Sequence, residues 1–253
     1  QNGVTGLDAR TGRQRWAYPS PAGCVPGQVR AGHGAVVAVS YCAGSVRIAD
    51  LDAAGGTVRW TRDVPQPTDG TAVAILSTDP VVLNEIGPAP RNTETLQVFG
   101  ANGKPGPDID VSEIDTPDGP VRLDTDRHAF DAAPTWWTFT DGAFLVGVTK
   151  DIAGHTWAVG YRLSDGRRQW LTPLATDALA VTERNGRMSV AYNDGPVPVI
   201  ASLSVEDGSS TLVGVVPGDV FADESALADV PGGYVAVNTT GTNPHHPVVL
   251  LRN

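Results

Sequence analysis

Residues 4–16 read VTGLDARTGRQRW. Val4 to Ala9 have the composition of a strand, Arg10-Thr11-Gly12 of a tight turn, and Arg13 to Trp16 of a returning strand. Gly12 stands where a short hairpin needs positive φ, which glycine adopts without a Cβ penalty. The stretch recurs. In SVRIADLDAAGGTVRW, residues Leu51, Asp52, Gly56 and Trp60 repeat Leu7, Asp8, Gly12 and Trp16 at an offset of 44. Three weaker copies end at Gly103, Gly166 and Gly208, and Trp170 again stands four residues after its glycine.

Repeats of 40–50 residues indicate a propeller, a solenoid or an array. Each full repeat holds four strand signals, here lettered A to D from the inner strand outward; four antiparallel strands make one propeller blade. The expectation is an all-β propeller in one domain, residues 1–253. It has a half blade at 1–19, blades at 20–64, 65–111, 112–174 and 175–216, and a partial blade at 217–253. The count predicts six blades, with five or seven as alternatives. The first blade lacks A and B and the last lacks D, so an upstream segment of about 35 residues is expected to close the ring, because an open stack exposes sheet edges. Residues 222–230 hold one helical turn at most.

Composition bounds the partners. Gly and Pro number 29 and 20, which fits many short strands joined by turns. The net charge is −10 and Lys/Arg clusters are lacking, which argues against a phosphate-backbone partner. No apolar run approaches the ~18 residues of a membrane span. Gln1 opens almost directly on a strand, so a leader or anchor is expected upstream. Cys24 and Cys42 flank a hairpin centred near His33, which sets them opposite each other on neighbouring strands. A disulfide is expected, hence an oxidising, extracytoplasmic compartment; two facing thiols are the alternative.

The motif Leu-Asp-Ala-x-Thr-Gly followed by a strand ending in Trp resembles the PQQ-like, quinoprotein-type β-propeller repeat. The resemblance is close at 4–16 and 46–60, moderate at 157–170 and weak at 96–103 and 199–208. Actinobacterial extracytoplasmic propellers of this type are most similar, and they imply an N-terminal membrane anchor. True quinoprotein dehydrogenases of the family bind PQQ and calcium in the channel and stack a disulfide of adjacent cysteines on the quinone. This chain has no adjacent cysteines. Other relatives are non-catalytic: the outer-membrane barrel-assembly lipoprotein and sensor propellers on membrane kinases. The resemblance thus implies a binding, scaffold or sensor module without cofactor. A PQQ-dependent dehydrogenase is the rival, and a calcium-dependent carbohydrate binder the third reading.

Propeller topology puts the short A–B and C–D turns on one face. The long loops 84–95, 112–134, 150–156 and 239–247 lie on the other, where function is expected. Arg91, Asp124, Asp126, His128, His155, His245 and His246 are the candidate ligand or partner residues, with a protein, peptide or cell-envelope component as partner. Asp124, Asp126 and Asp131 are weak calcium candidates, because the D-x-D-x-H-x-x-D run lacks the glycine and glutamate of an EF-hand loop. Val121 to Phe130 could add a small strand. Trp136-Trp137 could stack a ligand, but neighbours in a strand point to opposite faces, so core packing is preferred. Trp16, Trp60 and Trp170 recur with the repeat and are assigned to packing between blades. Asp8 and Asp52 are assigned to the turns, where a carboxylate can accept backbone N–H groups. No nucleophile elbow or phosphate loop occurs.

Overall fold

A computed structural model describes residues 3–32, 34–65, 72–86, 94–123, 138–150, 156–176, 178–184, 186–216, 221, 225–238 and 248–252. Every regular element in them is a strand. The opening stretch is a two-stranded antiparallel sheet, β1 (Gly3–Leu7) and β2 (Gln14–Pro19). Next comes a four-stranded sheet of β3 (Val25–Gly32), β4 (Ala35–Cys42), β5 (Ser45–Asp52) and β6 (Val58–Pro65), paired in chain order. A second follows the same order with β7 (Ala72–Thr78), β8 (Val81–Ile86), β9 (Glu94–Phe99) and β10 (Pro105–Asp110).

The fourth repeat carries an addition. A hairpin of β11 (Ile114–Thr116) and β12 (Gly119–Leu123) precedes β13 (Thr138–Asp141), β14 (Phe144–Lys150), β15 (Thr156–Arg162) and β16 (Arg168–Leu174). Its β12 pairs with the far end of β14, Leu123 opposite Thr149. The fifth repeat is β17 (Ala178–Arg184), β18 (Arg187–Asp194), β19 (Val197–Ser204) and β20 (Ser210–Val215). The last is a three-stranded sheet of β21 (Ser225–Val230), β22 (Gly233–Asn238) and β23 (Val248–Arg252). The chain divides into two compact units, residues 1–111 and 112–253.

Three local expectations change. The segment 112–134 is not a loop throughout, because residues 114–123 form the β11–β12 hairpin, with Ile114 and Leu123 buried. Of the helical turn allowed for at 222–230, residues 225–230 form β21 instead, whose Ala226, Leu227 and Ala228 pair with Val237, Ala236 and Val235. Backbone groups satisfied along a ladder outweigh the weak local helix propensity of so short a stretch. Of the loop read at 84–95, residues 84–86 belong to β8 and 94–95 to β9.

Burial explains why the strands differ in composition. β4, covered on both faces, is buried from Ala35 to Ser40 and reads almost continuously apolar. In β6, an outer strand, Trp60 alone is buried. Between the β3–β6 sheet and the β7–β10 sheet lies a core of Val37, Val39, Val46, Ile48, Trp60, Val73, Ile75, Leu83 and Phe99. Burial of side chains this size removes apolar surface worth about 1.5–3 kcal/mol each, which holds one sheet on the next. The disulfide forms as the sequence suggested: Cys24 is bonded to Cys42, joining the approach to β3 to the end of β4.

Candidate functional site

Arg91, Asp124, Asp126, His128, Asp131, His155, His245 and His246 lie outside the described residues, as do Trp136 and Trp137. The described residues define the strands that flank those positions in the sequence, and the short turns.

The turns are built to one plan. Asp8 N–H donates to the Arg13 carbonyl and Gly12 N–H to the Asp8 carbonyl, each at 2.8 Å. Asp52 and Gly56, Arg162 and Gly166, and Ser204 and Gly208 make the same two bonds. The third repeat is one residue shorter: Gly103 N–H reaches back three residues, to the Gly100 carbonyl, at 2.8 Å. That deletion accounts for the weak match at 96–103. In three sheets the turn residue three before the glycine also donates to the neighbouring A–B turn: Ala53 N–H to Gly34 O, Leu163 N–H to Ala143 O, and Val205 N–H to Gly186 O, at 3.0, 2.9 and 3.2 Å. The two kinds of short turn therefore meet at one end of each of these sheets.

The repeat carboxylates are engaged there. Asp8 Oδ1 accepts the Thr11 hydroxyl and the Thr11 N–H, both at 2.8 Å, and these bonds hold its pKa below the ordinary value. Gly55 N–H donates to Asp52 Oδ2 at 2.6 Å, and Ser209 N–H to Asp207 Oδ1 at 2.9 Å, with the same effect on each carboxyl.

The tryptophans join sheets. Trp16 Nε1 donates to Ala53 O at 3.0 Å, and Trp170 Nε1 to Val205 O at 2.9 Å. Each acceptor is the residue three before the turn glycine of the following sheet. Each ring lies over that glycine, Gly56 or Gly208, and against a glycine opposite it in its own sheet, Gly6 or Gly160. Trp60 occupies the same place, over Gly103 and stacked on Phe99 at 6.0 Å, but its Nε1 has no hydrogen-bond partner. Opposite it stands Asp50 rather than glycine.

Other polar groups are drawn into unit 1. Arg30 donates to Ile75 O at 2.9 Å, and burial pushes its pKa down to about 10. Burial raises the Glu85 carboxyl, helped by Asp108. The Asn84 amide is fully buried with neither polar atom bonded. In unit 2 the short turns frame an open cavity of about 550 Å³ beside Asp141, Phe144, Arg187 and Glu206. Arg187 is held by Ser202, donating to its Oγ and its carbonyl. No group of three or more His, Cys, Asp or Glu among the described residues could hold a metal ion. No helix among them is long and apolar enough to cross a membrane.

The family model described as outer membrane protein assembly factor BamB matches residues 1–172. The chain belongs to this PQQ-like β-propeller family. Its four-stranded antiparallel sheets are propeller blades. No curated protein matches the chain. Among solved structures it is similar to BamB from Moraxella catarrhalis, with 13% identity over 92% of this chain and 75% of that one, TM-score 0.37. It is also similar to the β-propeller domain of the trilobed protease from Pyrococcus furiosus, with 12% identity over 96% and 68%, TM-score 0.44. A quinohemoprotein alcohol dehydrogenase from Pseudomonas putida HK5 shares 11% identity over 92% and 60%, TM-score 0.35.

Sequence reasoning missed Asp50 and Arg187 as residues of interest. Asp50 had a visible signal, because it takes the position that Gly6 and Gly160 hold in the other Trp-bearing repeats. Arg187 had none, since its partner Ser202 lies in the next strand.

Proposed function

We propose that this propeller is a non-catalytic binding and scaffold module working outside the cytoplasm. Its partner, a protein or peptide of the cell envelope, would be held on the face to which the sequence assigns the long loops within 84–95, 112–134, 150–156 and 239–247. Arg91, Asp124, Asp126, His128, His155, His245 and His246 are its contact residues in this reading. The observation that carries it is the engagement of the repeat motif's own chemistry. Asp8, Asp52 and Asp207 hold backbone N–H groups of their turns, and Trp16 and Trp170 bond the next sheet, so the motif leaves recognition to the long loops. The family description, an assembly factor, supports a protein partner over a small substrate. The Cys24–Cys42 bond supports an oxidising compartment. It joins cysteines 18 residues apart and so is not the adjacent-cysteine pair that stacks on a quinone.

The test places a photo-crosslinking residue at Arg91, at His128 and, as a control on the short-turn side, at Arg10. Discrete adducts with an envelope protein from the first two positions and none from the third are expected. PQQ with Ca²⁺ should leave the melt unchanged. A stabilisation near the ~2.7 kcal/mol of a ligand at a hundred times its Kd would replace this reading with a channel-site dehydrogenase. A calcium-sensitive melt lost in Asp126→Ala would replace it with the carbohydrate binder.

A further inference from the structure

The joint between β3–β6 and β7–β10 departs from its counterparts in two ways that meet at one place. In the Trp16 and Trp170 joints a glycine faces the ring within the sheet, and the indole N–H donates to the following turn. At the Trp60 joint the following turn is one residue shorter and the indole N–H has no acceptor. The facing position holds Asp50, which is 5% exposed and whose Oδ1 has no hydrogen-bond partner. Asp50 sits mid-sheet in a cross-strand row with Arg30, Val37 and Trp60. Val37 and Trp60 belong to the core shared with β7–β10, so the row faces that sheet.

A carboxylate desolvated in an apolar joint without a full hydrogen bond disfavours the charged form. The charged groups that bear on Asp50 are Arg59, from β6, which favours ionisation, and Asp79, from the turn after β7, which opposes it. The Trp60 N–H lies near enough to favour the anion slightly, without closing a normal bond. Arg30, in the same row, is bonded to the Ile75 carbonyl. Burial outweighs Arg59 and Trp60, and the Asp50 pKa stands above the ordinary aspartate value.

We propose that Asp50 makes this joint acid-strengthened: taking up a proton removes a buried charge whose Oδ1 has no hydrogen-bond partner and favours the packing of β3–β6 on β7–β10. The sign follows from linkage. A carboxyl raised in the folded state binds its proton at a higher pH than in the unfolded chain. Its contribution to stability is therefore fully present below the unfolded pKa and is lost as pH rises through the folded one.

Thermal melts of wild type, Asp50→Asn and Asp50→Gly across about pH 4 to pH 7.5 test this. Asn is isosteric and uncharged; Gly recreates the arrangement at Gly6 and Gly160 and serves should the Asn variant fold poorly. At neutral pH the variant should melt higher than wild type, by about 3 °C for each unit by which the folded pKa is raised. That gap should narrow as pH falls towards about 4, the range of an unfolded aspartate. For whichever variant folds, a melt at or below wild type at neutral pH overturns the proposal, and so does a gap that stays constant with pH.

Discussion

A methyl group at Gly12 and one at Gly208 would meet very different surroundings, although both glycines have φ +68°. A Cβ on Gly12 finds open space; one on Gly208 comes within 2.6 Å of the Trp170 ring and 2.8 Å of Thr172 Oγ1. Gly12→Ala should therefore destabilise by about 1–2 kcal/mol, the strain of a left-handed alanine alone. Gly208→Ala should lose about 2–4 kcal/mol, strain and ring displacement together. Denaturant unfolding of the two variants checks this, and equal losses would show that the Trp170 contact does not constrain the turn. The glycines were legible as turn residues because positive φ is a local demand. That one of them is also a seat for an indole from another sheet was not legible, since 38 residues separate Trp170 from Gly208.

At the scale of elements, strand order follows from composition. Runs such as AVVAVS mark strands covered on both faces, and strands with a lone buried Trp mark sheet edges. The disulfide ties the β3–β4 hairpin at its open end, with Val25 opposite Tyr41 beside it. In the chain-entropy account a loop of this length contributes about 3 kcal/mol. Replacing both cysteines by alanine should lower the melting temperature by about 5–10 °C. A melt unchanged by the double replacement, or by reductant, would show that the hairpin is held by its ladder alone. Of the β11–β12 hairpin the sequence reading allowed only a small strand from Val121, which overlaps β12, although Pro117-Asp118-Gly119 is a turn signal. Its strands are three and five residues long, too short for a period-2 pattern to stand out.

Over the whole molecule the net charge of −10 is distributed unequally between stabilising and strained carboxylates. Asp8, Asp52, Asp63 and Asp207 are held below the ordinary value by hydrogen bonds, Asp63 chiefly by Arg47. Asp50 and Glu85 are raised by burial. The depressed groups contribute stability that is present above their unfolded pKa and lost as pH falls through the folded one. The chain should thus lose melting temperature steadily below about pH 4, even as the Asp50 joint is relieved. A melting temperature that is flat or rising on acidification through that range would contradict the assignment of these bonds.

Period and turn glycine are local or repeated properties, and five copies, three of them with the edge tryptophan, were enough to reveal an all-β propeller; the disulfide was legible from the hairpin between its two cysteines. Sheet-on-sheet contact is neither local nor repeated in full. In the sequence Asp50 shows only as an aspartate where two other repeats have Gly6 and Gly160. Only the packing of β3–β6 on β7–β10 buries it beside an indole with no acceptor, because the cost of desolvating a charge depends on what the fold brings against it.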